Sequence, residues 1–230
     1  MPDRRSGEPR AQSEAIGGSV IALWLIPTRV APDARVTLTE RERSWADSLG
    51  ARRAEQFDHS RRWLRSCLAD RFRVCPDRIP LDAPPGHPPT LSPGWGWISI
   101  SHSRDALLLG WSSQRIGVDL ERHDRSFAAE ALCRRFFCAD DRDALLRLAA
   151  AELRPAVLQH WIAKEAAIKW QRGRLATDLD QWSLSETIGM AVHRSLGLRL
   201  QVHCDSVGDW RLAVVGADFG PGQPPPICRV

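Results

Sequence analysis

The sequence lacks the hydrophobic segments that send a chain into or across a membrane. It contains no apolar run approaching the roughly 20 residues that a spanning helix needs. Residues 1–15 are polar and charged, without the apolar core of a signal peptide. These absences predict a cytoplasmic protein that has no membrane partner.

The sequence also lacks the cysteine spacing of a metal or redox motif. Its six cysteines include no Cys-x-x-Cys pair. Its seven histidines do not pair with the cysteines at the spacing of metal ligands. We therefore expect no zinc site and interpret the cysteines as reduced thiols. The formal charge of +4 suits an acidic or phosphorylated partner, although solubility alone explains such a mild excess equally well.

The order of the predicted elements indicates an α+β fold built from two similar halves. Each half reads as a strand, then helices, then further strands, although no residue-level repeat proves a duplication. We divide the chain into a disordered tail at 1–18, an N-terminal half at 19–115, a C-terminal half at 116–218 and a loose end at 219–230. Ligand sites often form between such units, so we expect the active site at the seam, near 112–120.

Hydrophobic periodicity and turn residues predict the individual elements. A Pro- and Gly-rich stretch at 81–96 is expected to be irregular, and a meander of strands is expected after the last helix. The predicted strands before that helix are 19–26, 97–103, 106–112 and the segment around GVDLE; the predicted helices are 40–49, 51–72, 126–137, 139–151 and 155–170.

Two acids stand on one face of a predicted strand in the segment RIGVDLE, residues 115–121. Side chains alternate between the faces of a strand, so Asp119 and Glu121 emerge together while Val118 and Leu120 face the core. Like charges on one face repel each other and cost stability. A bound cation would offset that cost.

A second dense stretch, HWIAKEAAIKW, spans residues 160–170 on a predicted helix. Trp161, Glu165 and Lys169 follow an i, i+4, i+8 spacing and therefore share one face. Taken alone, the Glu-to-Lys spacing is more typical of a surface ion pair than of a functional site. Taken with GVDLE, it brings a third carboxylate, Glu165, toward Asp119 and Glu121.

Three converging carboxylates favour a hard divalent cation, most simply Mg²⁺. Because Mg²⁺ commonly takes its remaining ligands from substrate phosphates, a phosphate should lie nearby. Lys164 and Lys169 supply positive charge for it, and Ser101 and His102 at the end of another strand supply hydrogen-bond donors.

These motifs resemble the Sfp-type 4′-phosphopantetheinyl transferases. The family pattern joins a Gly-apolar-Asp-x-Glu strand to a Trp-x-x-Lys-Glu-Ala-x-x-Lys helix, and this chain has both segments, at 117–121 and 161–169. The Ser-His pair at 101–102 and the Arg-Phe-Phe run at 135–137 also match family segments. The resemblance covers roughly 40–215.

The resemblance implies a role for each matching residue. Asp119, Glu121 and Glu165 would hold Mg²⁺ against the diphosphate of coenzyme A, with Glu165 also acting as general base, either directly or through a metal-bound water. The remaining residues would bind coenzyme A: Lys164 and Lys169 at the diphosphate, with Lys169 also protonating the leaving phosphate, and Ser101, His102, Arg53 and Arg62 at the nucleotide phosphates.

One position departs from the family pattern. The family often has Gly-Lys-Pro before the Ser-His strand, whereas this chain has His87 between Gly86 and Pro88. A histidine donates to phosphate but is largely neutral at pH 7. His87 is therefore either a weaker, pH-sensitive contact with the nucleotide or an ordinary loop residue.

The activity implied is Mg²⁺-dependent transfer of the 4′-phosphopantetheine arm from coenzyme A to a serine of an apo acyl or peptidyl carrier protein. Chain length resembles that of broad-specificity, monomeric members that serve secondary metabolism, although fatty acid synthesis stays open. One alternative is a non-catalytic protein of the same fold that binds coenzyme A or a carrier. The other, ranked last, is a nucleic-acid-binding protein that uses the arginine-rich helix at 51–72 without a base-reading motif.

Overall fold

The structure, a computed structural model, describes residues 20–185, 189–217 and 225–230. The predicted tail at 1–18 and the first part of the predicted loose end, up to residue 224, lie outside the described residues. Within the described ranges, no helix is both long enough and apolar enough to cross a membrane.

The described residues form a mixed α+β fold. The helices are α1 Glu40–Asp47, α2 Ala51–Phe72, α3 Ala129–Phe136, α4 Ala139–Leu145, α5 Ala150–Gln171 and α6 Leu175–Asp178, with a 3₁₀ turn at Pro76–Arg78. The strands are β1 Ile21–Pro27, β2 Leu81–Asp82, β3 Thr90–Leu91, β4 Trp97–His102, β5 Ala106–Ser112, β6 Gly117–Arg122, β7 Trp182–Leu184, β8 Met190–His193, β9 Arg199–Val207, β10 Trp210–Gly216 and β11 Ile227–Arg229. The predicted α+β class is confirmed.

Two main sheets organise the molecule. The first has the strand order β11–β1–β5–β4 and the second has the order β6–β10–β9–β8–β7. Neighbouring strands in these sheets run antiparallel, apart from β11, which pairs parallel to β1. The edge strand β4 of the first sheet lies beside the edge strand β6 of the second.

Side-chain alternation divides the core into layers. On β1, Leu23 and Leu25 pack against the second sheet, whereas Ile26 packs against α2. On β6, Val118 and Leu120 join the core between the sheets, which leaves the opposite face of that strand to α5. The layers therefore follow the order α2, first sheet, second sheet, α5.

The N-terminal helices are held by a capping box and a buried ion pair. Thr39 caps α1, since its hydroxyl accepts the Glu42 N–H while the Glu42 carboxylate accepts the Thr39 N–H. The same carboxylate accepts from Arg65 of α2, and both side chains are almost fully buried. These contacts fix α1 against α2, beside the pocket described below.

Several elements differ from those that the sequence predicts; for example, α4 ends at Leu145 rather than at 151. Helix α5 begins at Ala150 rather than 155, because Pro155 lies in its second turn, where the missing N–H removes only one helical hydrogen bond. The stretch at 81–96 contains the short ladder β2–β3. The prediction of a loose end is wrong for its last residues, since Ile227–Arg229 pairs with β1 and Ile227 packs against the core between the sheets.

Candidate active site

The two acids of β6 face the long helix α5. Gly117, on the same face, lies so close to α5 that a Cβ atom there would collide with the carbonyl oxygen of Ala166 and the backbone nitrogen of Trp170. The small residues Ala163 and Ala166 are fully buried on α5. This close approach brings side chains of α5 down onto the acids of β6.

Asp119 is the buried centre of the site, with only 2% of its surface exposed. Its Oδ1 atom accepts hydrogen bonds from the Ser101 hydroxyl at 2.6 Å and from the Lys169 ammonium at 2.7 Å. Its Oδ2 atom is also buried but accepts from no N–H or hydroxyl donor among the described residues. A buried carboxylate oxygen without a donor is costly, which makes this atom available to a cation or a shared proton.

Glu165 supplies the second acid. Burial and repulsion from Asp119 raise the pKa of Glu165 to about 8; Lys169 opposes that shift, while Glu121 and a hydrogen bond with Asp119 add to it. Two carboxylates in contact repel each other unless positive charge or a proton lies beside them; the Lys169 ammonium supplies part of that charge, and a bound cation or a proton on Glu165 would supply the rest. The sequence predicts that three acids converge; Glu165 and Asp119 contact each other, whereas Glu121 pairs with Arg125, and the shared metal site stays a prediction.

Glu121 is turned toward a basic neighbour. Its carboxylate pairs with Arg125. Burial is the largest cause that raises the pKa of Glu121; Arg125 opposes this shift, and repulsion from Asp119 adds to it. Both side chains line a cavity of about 560 Å³ between the β4–β5 turn and the segment after β6. In this arrangement, no three His, Cys, Asp or Glu side chains of the described residues are grouped to hold a metal ion.

A second cavity, of about 280 Å³, opens on the other face of β4. Arg53, Arg61 and His102 line it, with Pro85 and Gly86 opposite. The protein atoms around the His102 ring and the positive charges of Lys169 and Arg61 lower the pKa of His102 to about 4. The pocket is therefore cationic through its arginines, while His102 is neutral at pH 7.

Lys164 does not reach the site, so the prediction that it contacts a diphosphate is wrong. Its side chain is completely buried, and its ammonium lies 2.6 Å from the Asp141 carboxylate on α4. It also donates to the carbonyl of Leu179 and lies 4.4 Å from the centre of the Phe137 ring. One helical position is a rotation of about 100°, which carries Lys164 away from the face that presents Glu165.

Arg62 also lies outside the cationic pocket. Its guanidinium donates to the backbone carbonyls of Val36 and Asp33 and pairs with Asp58. These bonds fasten the loop before α1, and they contradict the predicted contact with the nucleotide.

The contacts of Ser101 also contradict its predicted place at the nucleotide phosphates. Its hydroxyl is buried against β6, where it accepts the Leu120 N–H at 3.2 Å and donates to Asp119. His102, the next residue, leaves the strand on the opposite face and lines the cationic pocket; its contact with a nucleotide phosphate stays a prediction. His87 is exposed and its Nδ1 lies 3.1 Å from the Pro85 carbonyl oxygen, beside the pocket rim.

Sequence reasoning missed three residues of this region: Arg61, Asp141 and Arg125. Arg61 could have been found, because Arg53, Phe57 and Arg61 follow an i, i+4, i+8 spacing on α2 and share one face. Its guanidinium donates to the Ala83 carbonyl from two nitrogens, and burial lowers its pKa to about 10, so it stays cationic at pH 7. No local pattern marked Asp141 or Arg125.

One family model matches the segment that contains β6 and α5. The family model described as the 4′-phosphopantetheinyl transferase superfamily matches residues 115–215. No curated protein matches the chain. The matched segment contains β6 with its two acids and the whole of α5. Residues 115–215 are therefore a domain of the 4′-phosphopantetheinyl transferase superfamily.

Proposed function

We propose that the protein transfers the 4′-phosphopantetheine arm from coenzyme A to a serine hydroxyl of an acyl or peptidyl carrier protein, with Mg²⁺ as cofactor. The observation that carries the proposal is the buried Oδ2 atom of Asp119, which accepts from no N–H or hydroxyl of the described residues and lies in a carboxylate that contacts Glu165. Lys169 stands on the same carboxylate. Such a group suits a diphosphate with its cation.

The residues present fit Mg²⁺. Oxygen ligands are those that this ion prefers, and a cation would replace the proton that Glu165 and Asp119 otherwise need. Asp119 and Glu165 would hold it, and Glu121 would join them after release from Arg125. When bound, Mg²⁺ would neutralise the negative charge that develops on the diphosphate during transfer.

The proposed reaction forms one bond and breaks one. The serine oxygen bonds to the phosphorus that carries the pantetheine arm, and the bond from that phosphorus to the bridging oxygen breaks. The leaving group, 3′,5′-ADP, takes the electron pair. Glu165 accepts the serine proton, and Lys169, which is partly exposed, donates a proton to the leaving phosphate.

The cationic pocket on the far face of β4 suits the nucleotide phosphates of coenzyme A. Arg53 and Arg61 supply planar guanidinium groups, which match phosphate oxygens in geometry and charge, and His102 supplies one hydrogen-bond donor. The pocket and the acids lie on either side of one strand, because consecutive residues Ser101 and His102 point to opposite faces. A molecule with a diphosphate between a nucleotide and an arm would extend from one to the other.

The cavity beside Glu121 suits entry of the carrier serine. Three arginines (Arg104, Arg122 and Arg125) and three acids (Asp105, Glu121 and Asp124) line it, so it offers polar partners of both charges to an incoming segment. Its position next to the acids rather than next to the nucleotide pocket supports this assignment.

Two similar halves remain our proposal for the organisation of the chain. The order β1–β5–β4 in the first sheet corresponds to β6–β10–β9 in the second, with antiparallel pairing in both. A helix of 22 residues, α2 or α5, accompanies each sheet. The matching strand order supports this proposal.

Incubation with coenzyme A, Mg²⁺ and a panel of apo carrier domains tests the function by mass spectrometry. We expect the wild type to add one phosphopantetheine mass to at least one carrier and a chelator to abolish the addition. Glu165→Gln should slow transfer at least about 100-fold, the range for loss of a general base. Glu152→Gln is the matched control, since Glu152 is exposed on the first turn of the same helix.

Two outcomes would contradict the proposal. Transfer by Glu165→Gln at the rate of the control would remove Glu165 from the reaction. Binding of coenzyme A or of a carrier with no mass added to any carrier would favour the alternative, a non-catalytic binding protein.

A further inference from the structure

Two serines of β4 join the two sheets at the seam. Ser99 accepts the Val118 N–H at 3.0 Å, and Ser101 accepts the Leu120 N–H at 3.2 Å. Both serines are buried. Because β4 and β6 belong to different sheets, these hydroxyls satisfy amides that a strand ladder would otherwise satisfy.

Of these two serines, Ser101 also contacts an acid. Its hydroxyl donates to Asp119 Oδ1 at 2.6 Å, a length typical of a strong hydroxyl–carboxylate bond. A hydroxyl has a single proton. Because Leu120 N–H donates to the same oxygen, the hydroxyl proton is directed away from that amide, and Asp119 Oδ1 accepts it.

The hydrogen bonds to Asp119 determine which of its oxygens stays available. Ser101 and Lys169 both donate to Oδ1, whereas Oδ2 is buried and accepts from no N–H or hydroxyl donor in the described part of the chain. Two bonds to one oxygen fix the plane of the carboxylate. Rotation of the side chain would exchange the two oxygens and break both bonds.

We propose that Ser101 is a positioning residue that holds Asp119 in the orientation in which Oδ2 binds the cation. The inference rests on the proposed function, since the cation is the one that transfer would use. Partners that orient a metal ligand commonly contribute 10- to 100-fold to metal affinity. Ser99 makes the same strand-bridging bond without contacting an acid, which makes it a matched control.

The test measures the affinity of the metal-free protein for Mn²⁺, a paramagnetic probe for Mg²⁺. Electron paramagnetic resonance detects the binding, without coenzyme A or carrier protein in the sample. We expect Ser101→Ala to weaken Mn²⁺ binding about 10-fold or more, Ser99→Ala to bind as the wild type does, and Ser101→Thr, which keeps the hydroxyl, to restore binding. In the transfer assay, Ser101→Ala should raise the Mg²⁺ concentration for half-maximal rate and leave KM for coenzyme A unchanged. Chemical denaturation compares the stability of the two alanine variants, each of which loses one bridge between the sheets.

Failure of the inference differs from failure of the function. Equal Mn²⁺ affinities for the Ser99→Ala and Ser101→Ala variants would overturn the positioning role while leaving the transferase proposal in place. Binding by Ser101→Thr as weak as that by Ser101→Ala would also overturn it. A wild type that neither binds Mn²⁺ nor transfers the arm would overturn the proposed function and, with it, this inference.

Discussion

Ser101 and His102 are chain neighbours that serve opposite faces of β4. The serine hydroxyl contacts the acid group at the seam, and the histidine lines the cationic pocket. The sequence identified both residues but assigned them to the same phosphates. Strand alternation would have separated them, had β4 been predicted to lie at the boundary between two sheets.

The ionisation of His102 is open to direct measurement. We expect ¹H–¹⁵N NMR to give a pKa for His102 near 4 rather than near 6.5. Lys169→Met should raise that pKa, because it removes a nearby positive charge. Since the unfolded chain binds more protons between these two pH values, the contribution of His102 to stability is present above pH 6.5 and is lost as pH falls toward 4.

A pKa for His102 at or above 6.5 would contradict this account. His87, which is exposed at the pocket rim, provides an internal reference in the same spectra. His102→Gln would identify the signal.

The chain contains only two lysines, Lys164 and Lys169, both on α5. Lys164→Met should lower the free energy of unfolding by about 3–5 kcal/mol, because it leaves the Asp141 carboxylate buried and uncompensated. The double variant with Asp141→Asn should recover part of that loss. Lys169→Met, at a partly exposed position, should change stability less but reduce transfer.

Chemical denaturation and transfer kinetics together separate the two lysines. A Lys164→Met protein of normal stability with a raised KM for coenzyme A would restore the role that the sequence predicted for Lys164. The opposite result would show that half of the basic charge in the motif is structural.

At the scale of elements, the contact between β6 and α5 builds the site. Gly117→Ala should lower the free energy of unfolding by about 3 kcal/mol, the upper part of the usual cost of overpacking, because its Cβ would meet backbone atoms of α5. Gly50→Ala is the control, since a Cβ at Gly50 would meet no heavy atom within 4 Å; its N-cap position on α2 limits its expected cost to about 1 kcal/mol. Urea denaturation of the two variants would measure the difference, and equal stabilities would contradict the close contact.

The elements themselves were largely predictable. The apolar alternation of β6 predicts that Asp119 and Glu121 share a face, and the i, i+4 spacing on α5 predicts that Glu165 and Lys169 face them; both features are observed. The ion pair of Glu121 with Arg125 was not predicted. It depends on the path of the chain after β6, which no periodic pattern encodes.

At the scale of the whole molecule, the last strand completes the core between the sheets. Ile227 packs against that core from the edge position beside β1. Ile227→Ala should lower the free energy of unfolding by about 1 kcal/mol, less than the cost of a fully buried isoleucine, and leave transfer unchanged. Arg229→Ala, at an exposed position of the same strand, should have little effect on stability.

Thermal and chemical unfolding would test this contribution. Equal stability of the two variants would mean that β11 adds little to the core. The sequence predicted a loose end because 219–226 is rich in Pro and Gly, and a three-residue strand after such a stretch is too short for a periodic signal. Its pairing with a strand about 200 positions earlier depends on the assembled fold.

The hydroxyl bridges between β4 and β6 differ in kind from the bonds inside each sheet. A ladder of peptide groups survives almost any exchange of side chains, whereas each of these bridges is lost when its serine is replaced by a residue without a hydroxyl. Replacement of a single serine can therefore alter the boundary that holds the reactive carboxylates, while the hydrogen-bonded ladders of both sheets stay intact.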